Sequence, residues 1–145
     1  LQRVHLPLTR GGVAWRTQLG SSFHNGSSYY AMDLNLVSGK DTDLGEIVNA
    51  AAPGKIIQWS EETGYMLIEH HLTSDGQDII WYTEYRHMQN MFIPQNEAEK
   101  IVTINQQIGE VGRKGLSPEE LQAGDNYLSV MQKNREALSS AMLCQ

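Results

Sequence analysis

Two residues able to bind a divalent metal, His24 and Asp33, stand close together near the start of the chain. They lie in the stretch F-H-N-G-S-S-Y-Y-A-M-D-L-N that runs from Phe23 to Asn35. Asn25, Gly26, Ser27 and Ser28 favour a turn, which puts His24 at the mouth of a loop. The chain then alternates like a strand, with Tyr30, Met32, Leu34 and Leu36 on one face and Tyr29, Ala31, Asp33 and Asn35 on the other. Asp33 is therefore expected to point away from the apolar side of its strand, onto an exposed face. A loop imidazole and a strand carboxylate so placed suit an ion such as zinc. Two ligands alone do not make a site. Asp33 equally suits a turn cap or the partner of a basic side chain.

Composition restricts what such a pair can serve. The chain has 145 residues, enough for one domain with a real core, and 1–145 is read as a single unit. A net charge of -6 excludes the basic surface of a nucleic-acid binder. No apolar run approaches bilayer length. The sequence starts at Leu1, so a processed or trimmed fragment is expected, with any signal peptide already removed. Its single cysteine, Cys144, has no internal partner and does not identify a compartment.

The elements that must position the pair read mainly as short strands. Residues 1–20 suggest an edge strand with Val4, Leu6 and Leu8, a turn at Gly11-Gly12 and a packed Trp15. A strand pair is expected from Gly45 to Glu61, turning at Pro53-Gly54. Tyr65 to His71 and Ile79 to His87 form the next pair, joined around Ser74-Asp75-Gly76. With regular alternation, His87 shares a face with Trp81, Thr83 and Tyr85. A connection containing Pro94 leads to short strands at Val102 to Ile104 and Ile108 to Val111. Ser117-Pro118-Glu119-Glu120 opens a short helix, Asn126 to Met131 returns as a strand, and 133–145 ends in a helix. The pattern predicts a mainly β fold: an antiparallel β-sandwich or partly closed barrel with short C-terminal helices.

In that order, several blocks resemble the lysostaphin-type (LytM-like) zinc metallopeptidases, secreted or periplasmic enzymes that cut cell-wall peptides. H-N-G-S-S-Y-Y-A-M-D-L-N resembles the motif in which a His and a later Asp bind zinc. G-E-I-V-N-A-A-A-P-G-K-I and G-Y-M-L-I-E-H-H resemble the following core segments. W-Y-T-E-Y-R-H-M resembles the strand that carries a catalytic histidine, and V-T-I-N-Q-Q-I-G-E-V-G-R-K-G the approach to the last motif. The match spans roughly 20–132. It implies the fold of that family (a duplicated hybrid motif), zinc on His24 and Asp33, a catalytic or vestigial role for His87, and a location outside the cytoplasm, in the cell envelope or beyond.

The last motif departs from the pattern. The family carries His-x-His there, a catalytic partner followed by the third zinc ligand; here D-N-Y-L-S-V places Tyr127 and Ser129 at those positions, and no histidine follows His87. A hydrolytic zinc site needs about three protein ligands and an open position for water, and neutral serine is a poor ligand. Zinc is therefore expected to be weak or absent unless Asp125, His70 or His71 supplies the third ligand. The leading expectation is a degenerate peptidase domain, inactive in hydrolysis, that holds a cell-wall peptide or partner protein in its groove, with Tyr29, Tyr85 and Tyr127 as exposed contacts. The alternatives are an active zinc endopeptidase with an altered ligand set and a structural subunit of an oligomer.

Overall fold

The computed structural model describes residues 15–19, 31–38, 42–94, 100–118, 121 and 129–132. Ten strands follow one another: β1 (Trp15–Leu19), β2 (Met32–Leu36), β3 (Ile47–Asn49), β4 (Gly54–Ser60), β5 (Tyr65–Ser74), β6 (Gln77–Tyr85), β7 (Met88–Gln89), β8 (Ile101–Val102), β9 (Gln107–Val111) and β10 (Ser129–Gln132). They form a seven-stranded sheet in the order β1-β2-β10-β6-β5-β4-β8 and a three-stranded sheet in the order β3-β9-β7. Every pairing is antiparallel.

The hairpin of β5 and β6 anchors the larger sheet. Its ladder runs from Met66 opposite Tyr85 to Ser74 opposite Gln77. Asp75 and Gly76, with φ of 51° and 76°, make the tight turn that the Ser-Asp-Gly signal predicts. The larger of two apolar clusters among the described residues lies between the sheets. Leu34, Ile56, Met66, Ile68 and Tyr85 of the larger sheet meet Val48, Met88, Ile108 and Val111 of the smaller one. The sheets remain separate, so the sandwich expectation holds and the barrel does not.

Two local expectations change. Pro53-Gly54 does not close a hairpin: β3 pairs with β9, whereas β4 pairs with β5 and β8. The segment Ala50 to Pro53 instead crosses from one sheet to the other. Turn chemistry specifies a change of direction, and sheet pairing decides where the chain goes next. β6 ends at Tyr85, so His87 lies beyond the strand rather than on it. Beyond Val111, Pro118 and Leu121 are helical and the Leu121 N–H donates to Ser117 O at 3.0 Å, in line with the expected helix start. The expected helix at 133–145 and the apolar alternation of 1–14 lie outside the described residues.

Candidate functional site

Sheet register brings Asp33 and Ser129 together. They are direct partners on the neighbouring strands β2 and β10. The next residue, Val130, pairs with Tyr85, the last residue of β6, and His87 follows two positions later. Three positions that the resemblance assigns to the active site thus gather at one end of the seven-stranded sheet. His24, Tyr29, Asp125 and Tyr127 lie outside the described residues.

Asp33 is not on an exposed face; it is 0% exposed. Its neighbours Leu34 and Leu36 on one face and Asn35 on the other are buried as well. Alternation separates the two faces of a strand but does not reveal whether both are covered, and β2 is an interior strand between β1 and β10. A carboxylate in such a place is stabilised as an anion only by charge or hydrogen-bond partners.

His87 sits in the turn between β6 and β7 with φ of 62°, in the left-handed region that few non-glycine residues adopt. Its surroundings hold it there. Gly64 O accepts the Met88 N–H at 3.0 Å, and a Cβ on Gly112 would approach His87 O to 2.8 Å. The imidazole Nδ1 lies 2.8 Å from Lys114 O. A carbonyl only accepts, so Nδ1 carries the proton and a neutral His87 keeps its lone pair on Nε2. Lys114 also donates from Nζ to Glu61 O at 2.6 Å, tying the same segment to the turn between β4 and β5. His87 is thus an oriented imidazole whose Nε2 can accept a proton or a hydrogen bond.

Tyr85, expected among the exposed groove contacts, is fully buried in the core. Its side chain faces the smaller sheet, and its Oη accepts the Ala51 N–H at 2.8 Å. Burial, the largest cause, pushes its phenol up from the ordinary tyrosine range. On the other face of β6, the buried Glu84 carboxylate accepts from Arg86 Nε.

Neither paired histidine reaches Asp33. Met66 is the β5 partner of Tyr85, so His70 and His71 stand roughly 13 to 17 Å further along the sheet at the rise of a β-strand. His71 is exposed and bonds through Nε2 to Glu69 Oε1 at 2.9 Å. His70 is fully buried and stacks on Trp81 with ring centroids 4.1 Å apart. Both its nitrogens are engaged, Nδ1 with Pro53 O and Nε2 with Thr83 Oγ1, each at 2.8 Å. This buried polar chain escaped sequence reasoning. Its signals were a histidine within an apolar strand and the same-face spacing of Thr83 and Tyr85.

Among the described residues, which do not include His24, no three His, Cys, Asp or Glu side chains stand close enough to share a metal, and the cross-strand partner of Asp33 is a serine.

The two layers of antiparallel strands share their fold with solved M23 and zinc peptidases. The chain is similar to pseudoalterin, described as a novel M23 metalloprotease from the deep sea, with a TM-score of 0.60 and 21% identity over 90% of this chain and 69% of that one. It is also similar to a zinc-containing peptidase from Vibrio cholerae, with a TM-score of 0.57 and 18% identity over 92% of this chain and 38% of that one. At such identities the likeness concerns the fold. No family model and no curated protein matches the sequence.

Proposed function

We propose that this chain is a metallopeptidase-fold module that binds an extended peptide and does not hydrolyse it. The observation that carries this reading is Ser129 opposite Asp33. Ser129 is the residue that the resemblance aligns with the third zinc ligand, and its hydroxyl stays protonated and neutral near pH 7. With His24 and Asp33 as the remaining ligands, a zinc ion would be held by two protein groups and would be readily lost. His87 is retained as an oriented hydrogen-bonding imidazole rather than as part of a proton-transfer pair. The bound segment is a cell-wall stem peptide or an extended strand of a partner protein, recognised by main-chain pairing and by side-chain contacts in the groove. Zinc peptidases of this fold lend weight to an envelope or extracellular setting, and no helix among the described residues is long and apolar enough to cross a membrane.

The test incubates the full chain with Gly- and Ala-containing peptides, with added zinc or with chelator, and follows cleavage by mass spectrometry and binding by NMR chemical-shift changes. The reading expects no cleavage and a binding signal unchanged by chelator. Chelator-sensitive cleavage would overturn it in favour of an endopeptidase with a different ligand set.

A further inference from the structure

Tyr65, Glu84 and Arg86 have no role in the candidate site, yet they meet on the face of the larger sheet that carries Asp33. Tyr85 points into the core, so Glu84 and Arg86 on either side of it lie on the opposite face, where they bond to each other. Asp33 shares that face: it pairs with Ser129, and the next residue, Val130, pairs with Tyr85. Continuing that register one residue beyond β6 sets Arg86 level with Ser129 and two strand spacings, roughly 10 Å, from Asp33. Tyr65 precedes Met66, the β5 partner of Tyr85, and falls on the same face.

The group is built around a buried carboxylate. The Glu84 side chain is 2% exposed; it accepts from Arg86 Nε and is hydrogen-bonded by the Tyr65 phenol. Burial, then the charge of Glu84, raises the Tyr65 phenol above the ordinary tyrosine range, so it remains a donor at neutral pH. An ionised carboxylate at such depth needs a cation and donors. Arg86 meets that need through Nε alone. Its side chain is 34% exposed, and no other described residue takes a bond from it. Of the five N–H donors of a guanidinium, the four on the Nη nitrogens are left to face a ligand.

We propose that Arg86 reads a carboxylate of the bound peptide through its Nη edge, with Glu84 fixing the guanidinium from behind. The inference rests on the peptide-binding reading above and names what that peptide carries. Geometry selects the ligand: the planar fork of the two Nη nitrogens matches the two oxygens of a carboxylate, and the bond at Nε holds the fork in one orientation. Charge selects it as well. Glu84 already balances Arg86, and the chain carries a net charge of -6, so the site has little long-range pull on a free anion or on the double charge of a phosphate. A single carboxylate delivered on a peptide that other contacts hold needs no such pull and gains two charge-assisted hydrogen bonds. Its source is either the C-terminus of the peptide or an acidic side chain.

The experiment is an NMR titration of the full chain with two pairs of N-acetylated peptides. One pair, of alanine and glycine, ends in a free carboxylate or an amide; the other, amide-ended, carries one glutamate or one glutamine. In at least one pair the acid should bind about tenfold or more tighter than its neutral counterpart, and that pair identifies a terminal or a side-chain carboxylate. The Arg86 guanidinium resonances should move with the preferred acid peptide and not with its neutral counterpart, a readout that stands whether or not a variant folds. Arg86→Lys should lose the preference and keep the affinity for the neutral peptides, because its single ammonium is drawn to Glu84 and offers no second edge. Equal affinities within both pairs, with the peptides still bound, overturn the carboxylate inference and leave peptide binding standing. A preference that persists in Arg86→Lys, or that leaves the Arg86 resonances unmoved, overturns the assignment to Arg86. Failure of all four peptides to bind overturns the peptide-binding reading and this inference with it.

Discussion

Gly64→Ala should destabilise the chain by about 3 to 5 kcal/mol, a large share of a small domain's stability. Two effects add. The residue has φ of 65°, where any side chain is strained, at about 1 kcal/mol or more. The added Cβ would also press into the Met88 backbone, overlapping its carbonyl oxygen and lying 2.6 Å from its nitrogen. Backbone cannot rotate aside as a side chain can, so the junction of the β4–β5 turn with β7 must open, and the Met88 N–H would lose Gly64 O. Gly76→Ala provides the comparison. Its φ of 76° is equally left-handed, but open space surrounds it, so only the conformational strain of about 1 kcal/mol remains. Urea denaturation of both variants should separate them clearly, and equal losses would show that the packing at Met88 is not what requires glycine. Because Met88 adjoins His87, the first variant should also disturb the His87 ring resonances before global unfolding.

Ser129→His should raise zinc affinity by 100-fold or more. The substitution puts an imidazole on β10 directly opposite Asp33, where Ser129 offers only a neutral hydroxyl. A third ligand converts a two-point hold into the ligand number that zinc proteins use, and the gain belongs to the histidine if Ser129→Ala leaves affinity at the wild-type level. Competition against a chromophoric zinc indicator measures it. Unchanged affinity in Ser129→His would mean that position 129 does not face the ion, and would remove the structural ground for treating its serine as the lost ligand.

Local signals carried much of the fold. The β5–β6 hairpin was legible because two residues able to adopt positive φ, Asp75 and Gly76, separate two β-rich runs. The crossover at Pro53-Gly54 was not, because a turn between apolar runs looks alike whether the next strand pairs with the last or joins another sheet. β7 has two residues and leaves no periodicity to read. At the site, Ser129 was singled out only through the resemblance, and nothing local in the sequence pairs it with Asp33, its direct partner across β2 and β10. Burial was the illegible part. Alternation separated the faces of these strands but not which are covered: both faces of β2 are buried at Asp33 to Leu36, and Tyr85 lies on the face of β6 that packs into the core, so neither residue is exposed as expected. His87 was read as a strand residue because alternation, once begun, predicts its own continuation, whereas its placement depends on contacts with Gly64, Gly112 and Lys114 that are distant in sequence.

The most direct test of the central claim is the zinc content of the wild-type chain, purified without chelator and then titrated with zinc alongside His24→Ala. The account predicts substoichiometric metal and weak binding, with His24→Ala weakening it further. About one zinc per chain, tightly held and lost in His24→Ala, would contradict it and show that the chain completes a zinc site by a ligand other than Ser129.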